Sequence, residues 1–295
     1  MPVPNVVIAS IHDGFGNQLF QYSACLALAQ HLGVPLKLDL RGVELTGRRP
    51  YMLHHLNIQA PEASAAELAA LAPDPSVLDR AWKKLTGRER MVRLRRLRQF
   101  REQLFYRYDD SLFECRAPIW VDGFFQSERY LARIEPRLHH EFRITTPPSA
   151  GARELLSAIE ACQSVCVHVR REDYTASSVF HNVGMEYYAS AARELAASIE
   201  NPVFFVFSDD PKWTQENLQL PGQVRWTWAP ERLPLIDDFR LMGACRHAII
   251  ANSTLSWWAR RLNPQPDERV YLPARWFEPT EWAPPELYTD GWIAH

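Results

Sequence analysis

The apolar positions of this 295-residue chain fall into short β-prone runs separated by longer stretches with helical spacing. Residues 6–11 form the first run, followed by the loop His12-Asp13-Gly14-Phe15-Gly16-Asn17-Gln18 and a helical stretch over 19–32 that Gly33 terminates. A second strand over 34–40 makes the opening a strand–helix–strand unit. The pattern predicts helices over 61–71, 82–104 and 127–141, and a strand at 119–123. The run Thr145-Thr146-Pro147-Pro148-Ser149-Ala150-Gly151 then stops both helix and strand, because consecutive prolines lack the N–H groups that either needs. It predicts a division into domains 1–147 and 148–295.

Beyond the prolines the alternation becomes regular. A helix to about 161 precedes a strand at 164–169, a helix at 185–199 and strands at 203–208 and 224–228. A helix at 234–246, a strand at 247–251, a helix at 253–262 and a strand at 269–272 complete it. Such alternation predicts an α/β protein with parallel sheets, whose ligands bind beyond the carboxyl ends of the strands. Three polar clusters fall at those ends: His168-Val169-Arg170-Arg171, Ser208-Asp209-Asp210 and Asn252-Ser253-Thr254.

Composition narrows the function. The length suits two domains, and 46% hydrophobic residues suffice for two cores. A net charge of −2 gives no chain-wide reason to expect nucleic acid. The five cysteines are odd in number and lack C-x-x-C spacing, which fits a reducing compartment. No signal-peptide pattern and no membrane-length apolar run occur, so a soluble cytoplasmic protein is expected.

Arg170 and Arg171 at a strand end suit bidentate capture of phosphate or carboxylate, although an arginine pair also serves salt bridges between domains. Asn252, Ser253 and Thr254 put hydroxyls and free N–H groups at a helix N-terminus, which is either an anion site or an ordinary cap. Asp209 and Asp210 are placed to receive ribose hydroxyls or base N–H groups, or to cap a helix ahead of Pro211. No D-x-D triplet and no zinc-spaced His/Cys cluster occurs, so arginines, hydroxyls and a helix dipole would neutralise a diphosphate, with no metal expected. Gly14-x-Gly16-x-x-Leu19, with Asp39 downstream, partly matches a dinucleotide fingerprint whose third glycine is replaced, which keeps a nicotinamide dehydrogenase as an alternative. Trp257 and Trp258, on the helix behind a binding loop, read as core.

Together GFGNQLFQYSACLALAQHLG, HVRREDY, FSDDPKW and ANSTLSWWARRL resemble the α-1,2-fucosyltransferases of glycosyltransferase family 11, over residues 8 to about 277. The resemblance implies a GT-B architecture, two Rossmann-like domains facing across a cleft, with GDP-fucose as donor held by the C-terminal domain and a β-galactoside acceptor at the N-terminal one. It implies that Arg170 meets the donor β-phosphate, that His168 and Arg171 support the diphosphate, and that Asp173 and Asn252 belong to the donor-binding set. Asp209 or Asp210 would meet guanosine, Ser253, Thr254 and Ser256 would line the phosphates, and Asn17, Gly14 and Gly16 would lie near the fucose. Glu172 and Asp13 stand where the family often has glycine.

The implied reaction is a single inverting displacement without metal. Asp13 is the first candidate for a general base, as a partly buried carboxylate, with His12 and Glu172 as further options. The basic segment 83–101, with Met91, Leu94, Leu97 and Phe100 at helical spacing, suits either peripheral contact with an anionic inner membrane or a solvated helix face. A fucosyltransferase of another linkage and a non-catalytic sugar-nucleotide-binding protein are the alternatives.

Overall fold

The computed structural model describes residues 4–46, 49–72, 98–103, 106–171, 174–175, 178–279 and 285–295. The chain forms two compact units. The first comprises Met1–Asp13, Phe20–Tyr51 and Gln59–Glu135, and the second Gly14–Leu19, Met52–Ile58 and Pro136–His295. The sequence pattern put the division at 147/148. Contacts divide the chain after Glu135 instead, and they assign the start of the first helix and the 52–58 segment to the second unit. Segment 52–58 is tied there by Leu56–Ile144 pairing and by the Thr145 N–H donating to the His55 carbonyl at 2.8 Å.

In the first unit, β1 (Val7–Ser10) is connected through α1 (Phe15–Leu32) to β2 (Leu36–Asp39). Gly33 ends α1 at φ +64°, a conformation that glycine adopts without a Cβ penalty. The helix starts earlier than the apolar spacing predicts, because Gln18 N–H already bonds the Gly14 carbonyl at 3.0 Å. α2 (Arg41–Thr46) and α3 (Ala65–Leu71) follow. α3 begins after Ser64, not at 61: Ser64 and Glu67 form a reciprocal capping box that fixes the start. β3 (Gln99–Arg101) and β4 (Ile119–Asp122) complete a parallel sheet of order β2-β1-β4-β3. Val6, Ile8, Ala63, Leu68, Leu71 and Trp120 pack as one core cluster.

The helix predicted over 82–104 lies outside the described residues up to position 97. Where the chain is described again, Gln99–Arg101 is strand β3, paired with Trp120–Asp122. Sheet pairing overrides the helical spacing there, with Phe100 stacked on Phe125 at 6.3 Å. The predicted helix over 127–141 is a 3-10 turn, Glu128–Arg133, followed by α4 (Glu135–Glu141). Pro136 has no N–H with which to continue one helix through.

The second unit contains α5 (Ala150–Glu160), β5 (Gln163–Val169), α6 (Met185–Ser198), β6 (Pro202–Ser208), α7 (Pro211–Asn217) and β7 (Gln223–Trp226). α8 (Leu235–Ala244), β8 (His247–Ile249), α9 (Thr254–Arg261), β9 (Val270–Leu272) and β10 (Ile293–Ala294) follow. The sheet order is β10-β9-β8-β5-β6-β7, parallel throughout. The chain therefore starts at the central β5, runs outward to β7, and returns to β8 on the other side. That reversal makes the carboxyl ends of β5 and β8 a topological switch point, where open α/β sheets bind ligands. The core beneath is aliphatic and aromatic, with Val165, Val167, Phe204, Val206, Ile249 and Tyr271 buried together. Trp257 and Trp258 are fully buried, as expected for core residues. Arg260, also fully buried, donates to the carbonyls of Met242, Gly243 and Cys245 and pairs with Glu268, which satisfies the end of α8.

Candidate functional site

The pairing of β5 with β6 accounts for the arrangement at the switch point. Val169 lies opposite Ser208 in the register, so the two residues that follow each strand also meet. Arg170 Nη1 lies 2.9 Å from Asp209 Oδ2, an ion pair off-line for a hydrogen bond. Asp209 Oδ1 accepts the Arg171 backbone N–H at 2.9 Å. Asp210 Oδ2 is 3.5 Å from Arg171 Nε, while its Oδ1 accepts the Trp213 N–H and caps α7 ahead of Pro211. The Arg171 guanidinium lies over the Trp213 ring, 3.2 Å from its centroid, and Arg170 lies 5.4 Å from the centroid of Tyr174. Two largely buried guanidiniums are thus oriented by two carboxylates and two aromatic faces.

This changes the reading of the aspartates. Asp209 is buried and occupied by both arginines, and Asp210 serves as cap and counter-charge. Both hold the arginines, while Asp209 Oδ2 accepts no hydrogen bond among the described residues and the Asp210 side chain stays partly exposed. The cap alternative applies to Asp210. Asp173 and Glu172 lie outside the described residues.

On the other side of β5, His168 is buried and shares a 2.8 Å hydrogen bond through Nδ1 with Ser256 Oγ of α9. Ser256 Oγ also donates to the Ser253 carbonyl at 3.3 Å. Burial, followed by the nearby Arg170 charge, pushes the imidazole down to about 3. His168 is therefore neutral at physiological pH and ties β5 to α9.

The Asn252-Ser253-Thr254 turn is anchored from several directions. Asn252 Nδ2 donates to the His181 and Trp276 carbonyls at 2.9 and 2.8 Å, and Tyr174 Oη donates to the Asn252 carbonyl at 3.1 Å. Asn252 Oδ1 is buried without a hydrogen bond among the described residues. Ser253 stands at the N-cap of α9 but makes no side-chain cap bond. Thr254 Oγ1 donates to Asn17 Oδ1 at 3.2 Å. A Cβ at Gly16 would lie 2.5 Å from the Thr254 carbonyl carbon and Oγ1, so glycine is required for the backbone to touch the start of α9. A Cβ at Gly14 would meet nothing within 4 Å. Gly16 and Asn17 thus join the switch-point cluster by contacting α9. Trp213 and Tyr174 were missed from the sequence, since a lone aromatic after a strand carries no spacing signal.

A second polar group sits at the carboxyl edge of the first unit's sheet. His12 follows β1, Asp122 ends β4 and Glu102 follows β3. His12 Nε2 is 3.2 Å from Asp122 Oδ1, and Arg101 Nε is 3.9 Å from Asp122 Oδ2. Burial pushes the Glu102 carboxyl up to about 7, against the hydrogen bonds it accepts from the Phe124 and Phe125 N–H groups. Asp39 is occupied by Arg41 through both oxygens and by Trp120 Nε1 at 2.9 Å, which leaves it no ribose to bind. Asp13 is exposed, so it lacks the partial burial on which its selection as a base rested. It takes φ +66°, the left-handed region where glycine is favoured.

Among the described residues no three His, Cys, Asp or Glu side chains form a metal-binding group, and no helix is long and apolar enough to cross a membrane.

Comparisons with known proteins agree with this geometry. The chain is 30% identical to an alpha-1,2-colitosyltransferase of Escherichia coli over 300 residues, covering 98% of both proteins. It is 26% identical to galactoside alpha-(1,2)-fucosyltransferase 1 of Oryctolagus cuniculus, over 86% of this chain and 64% of that one. The NodZ α-1,6-fucosyltransferase from Bradyrhizobium, solved after soaking with GDP-fucose, superposes with a TM-score of 0.50 at 18% identity, covering 88% of this chain and 93% of that one. The shared fold is the GT-B type, with two Rossmann-like parallel-sheet units. The profile of "Glycosyl transferase family 11" matches residues 96–293, a span that contains the whole arginine–aspartate cluster. With that match, and with the similarity to a colitosyltransferase along 98% of its length, the chain belongs to glycosyl transferase family 11 and is a glycosyltransferase.

Proposed function

We propose that the protein transfers L-fucose from GDP-β-L-fucose to the 2-hydroxyl of a terminal β-galactoside, with inversion at the anomeric carbon and without a metal ion. The observation that carries this is the cluster at the switch point, where Asp209 and Asp210 hold Arg170 and Arg171 beside the N-terminus of α9. Fixed cationic donors at that place suit a departing nucleoside diphosphate, whose negative charge grows in the transition state. The α-1,2 linkage is supported by the names of the colitosyl and galactoside fucosyl relatives, and a GDP-sugar by the GDP-fucose soak of NodZ. In the displacement the acceptor oxygen bonds C1 of the sugar as the C1–O bond to the β-phosphate breaks. The electron pair leaves with GDP and the hydroxyl proton is lost.

GDP-colitose is the second reading of the donor, because the relative matched along 98% of its length is a colitosyltransferase. Colitose is fucose without its 3-hydroxyl, so the two donors differ by one polar group.

The test is calorimetry on EDTA-treated protein with GDP-fucose, GDP-colitose, GDP-mannose and UDP-galactose, followed by transfer to lactose and linkage analysis of the product. Binding of a GDP-6-deoxysugar and formation of an α-1,2 product are expected. Arg170→Ala should lower turnover by about 10²–10³-fold while the fold, read by circular dichroism, persists. Near-normal turnover in that variant removes Arg170 from the mechanism. Donor binding without transfer to any galactoside favours a non-catalytic sugar-nucleotide-binding protein, and a metal requirement after EDTA treatment overturns the metal-free displacement.

A further inference from the structure

Among the described strands of the first unit, β1 lies between β2 and β4. The chain leaves β1 toward β2 on one side, and both later strands lie on the other, so the order reverses between β1 and β4. Open parallel sheets bind ligands beyond the carboxyl ends of the strands that flank such a reversal. His12 follows β1 there and Asp122 ends β4, with side-chain exposures of 23% and 27%. His12 Nε2 is 3.2 Å from Asp122 Oδ1. Asp122 Oδ2, 3.9 Å from Arg101 Nε, accepts no hydrogen bond among the described residues. Phe124, two positions beyond β4, is half-buried and meets the His12 ring edge-on at 5.5 Å. Its ring lies within 16° of parallel to that of Tyr106, in the segment after β3, and a centroid separation of 6.2 Å offsets the two faces.

The aromatic pair is held in place from behind. Buried Glu102 accepts the Phe124 and Phe125 N–H groups at 2.6 and 3.1 Å, one on each carboxylate oxygen. Phe125 turns inward, where it is buried edge-on against Tyr130 at 5.7 Å, so that Phe124 is the ring left on display. A Cβ at Gly123 would lie 2.5 Å from Glu102 Cβ, and glycine is what lets this turn close on the carboxylate. Phe125 takes φ +51° and Tyr106 φ +65°, the left-handed region that bulky side chains avoid. With Asp13 at +66°, three of the five non-glycine residues in that region, among the described residues, fall at this one sheet edge. Backbone held in such conformations by its surroundings is concentrated where ligands are clamped.

A pre-set aromatic face with a carboxylate, an imidazole and a guanidinium at its rim suits a pyranoside, whose C–H groups lie on the ring while its hydroxyls bond the polar groups. A phosphorylated ligand fits worse, because carboxylates crowd the place: Glu102 feels the Asp122 charge, and Tyr106 feels both Glu102 and Asp13. We propose that this edge is a pyranoside-binding site, with Phe124 as the platform for the sugar face and Asp122 Oδ2 as the acceptor for a hydroxyl at its rim. The site uses residues of the first unit alone. Terminal β-galactose is the sugar assigned to it, a choice that rests on the galactoside reading proposed above. The axial 4-hydroxyl of galactose stands on the face opposite its C3, C4 and C5 hydrogens, which leaves those hydrogens as one continuous apolar patch for an aromatic ring.

The experiment is a saturation-transfer NMR titration of the full chain with methyl β-galactoside, lactose and methyl β-glucoside, each with and without GDP, while donor Kd is measured separately by calorimetry. Wild type should bind both galactosides, with saturation strongest at H3, H4 and H5 of galactose, and should bind the glucoside more weakly. Phe124→Ala and Asp122→Asn should each raise the galactoside Kd about tenfold with donor Kd unchanged, and Phe124→Ala should also erase the H3–H5 pattern. A galactoside Kd within about twofold of wild type in both variants overturns the proposal. So does a wild type that binds none of the three sugars with or without GDP. If Phe124→Ala does not fold, Phe124→Leu replaces it, since leucine keeps the apolar volume and removes the aromatic face. Equal affinity for galactoside and glucoside overturns the choice of galactose. Failure of the transfer reading shows separately: galactoside binding that the two variants abolish, in a wild type that transfers neither fucose nor colitose, sustains the site and overturns the reaction.

Discussion

Substituting His168 by Asn converts its burial into a measurable pH dependence. The imidazole is fully buried between β5 and α9, and burial together with Arg170 pushes it from an ordinary 6.5 down to about 3. Below pH 6.5 the unfolded chain takes up a proton on this residue while the folded protein does not. Stability must therefore fall as the pH drops, beginning near 6.5 and ending near 3. At about 1.4 kcal/mol per pH unit, His168 alone removes about 3 kcal/mol by pH 4.5 and about 5 kcal/mol across the whole window. Asn places an amide where Nδ1 now meets Ser256 Oγ, so it retains the 2.8 Å contact and does not titrate. The assay is urea unfolding of both proteins at pH 7, 6, 5.5, 5 and 4.5, with the difference taken at each pH. His247 and His55, also lowered mainly by burial, and Asp238, raised mainly by burial, are common to both proteins and cancel. The expected result is that the stability of wild type relative to His168→Asn declines steadily below pH 6.5. A difference that stays flat to pH 4.5 refutes the claim that His168 is buried and neutral, and with it the account of how β5 and α9 are joined.

Two further substitutions separate the site from the scaffold. Gly16→Ala forces a Cβ to within 2.5 Å of the Thr254 backbone, so α9 must shift at a cost of roughly 1–3 kcal/mol; donor affinity by calorimetry should fall about tenfold or more, and unchanged affinity would separate the α9 start from the donor site. Asp39→Ala leaves Arg41 and Trp120 Nε1 without their acceptor and should cost about 3 kcal/mol in urea unfolding with donor Kd unaltered; a selective loss of donor affinity would revive a nucleotide role for Asp39.

Parallel strands at 164–169, 203–208 and 247–251 were legible in the sequence because residues buried on both faces of a sheet form continuous apolar runs bounded by polar turns. Since every parallel strand ends on the same edge, that reading alone gathered Arg170, Arg171, Asp209, Asp210 and the 252–254 turn into one neighbourhood. Strand order, register and side-chain commitment were not legible. They depend on which strands pair across tens of residues, and local patterning does not encode that. The β5–β6 register sets Asp209 against the arginines, the close approach of a helix more than two hundred residues later leaves no room for a Cβ at Gly16, and β3 is a strand because β4 pairs with it. His12 and Asp122 illustrate the same limit: one loop histidine and one strand-end aspartate carry no spacing signal, and only the juxtaposition of β1 and β4 brings them within 3.2 Å. The sequence by itself determined the fold class, the sheet edge and the residue types of the site. Tertiary structure decided which of those residues hold one another and which remain open to a substrate, because burial, register and long-range contact are properties of the folded chain.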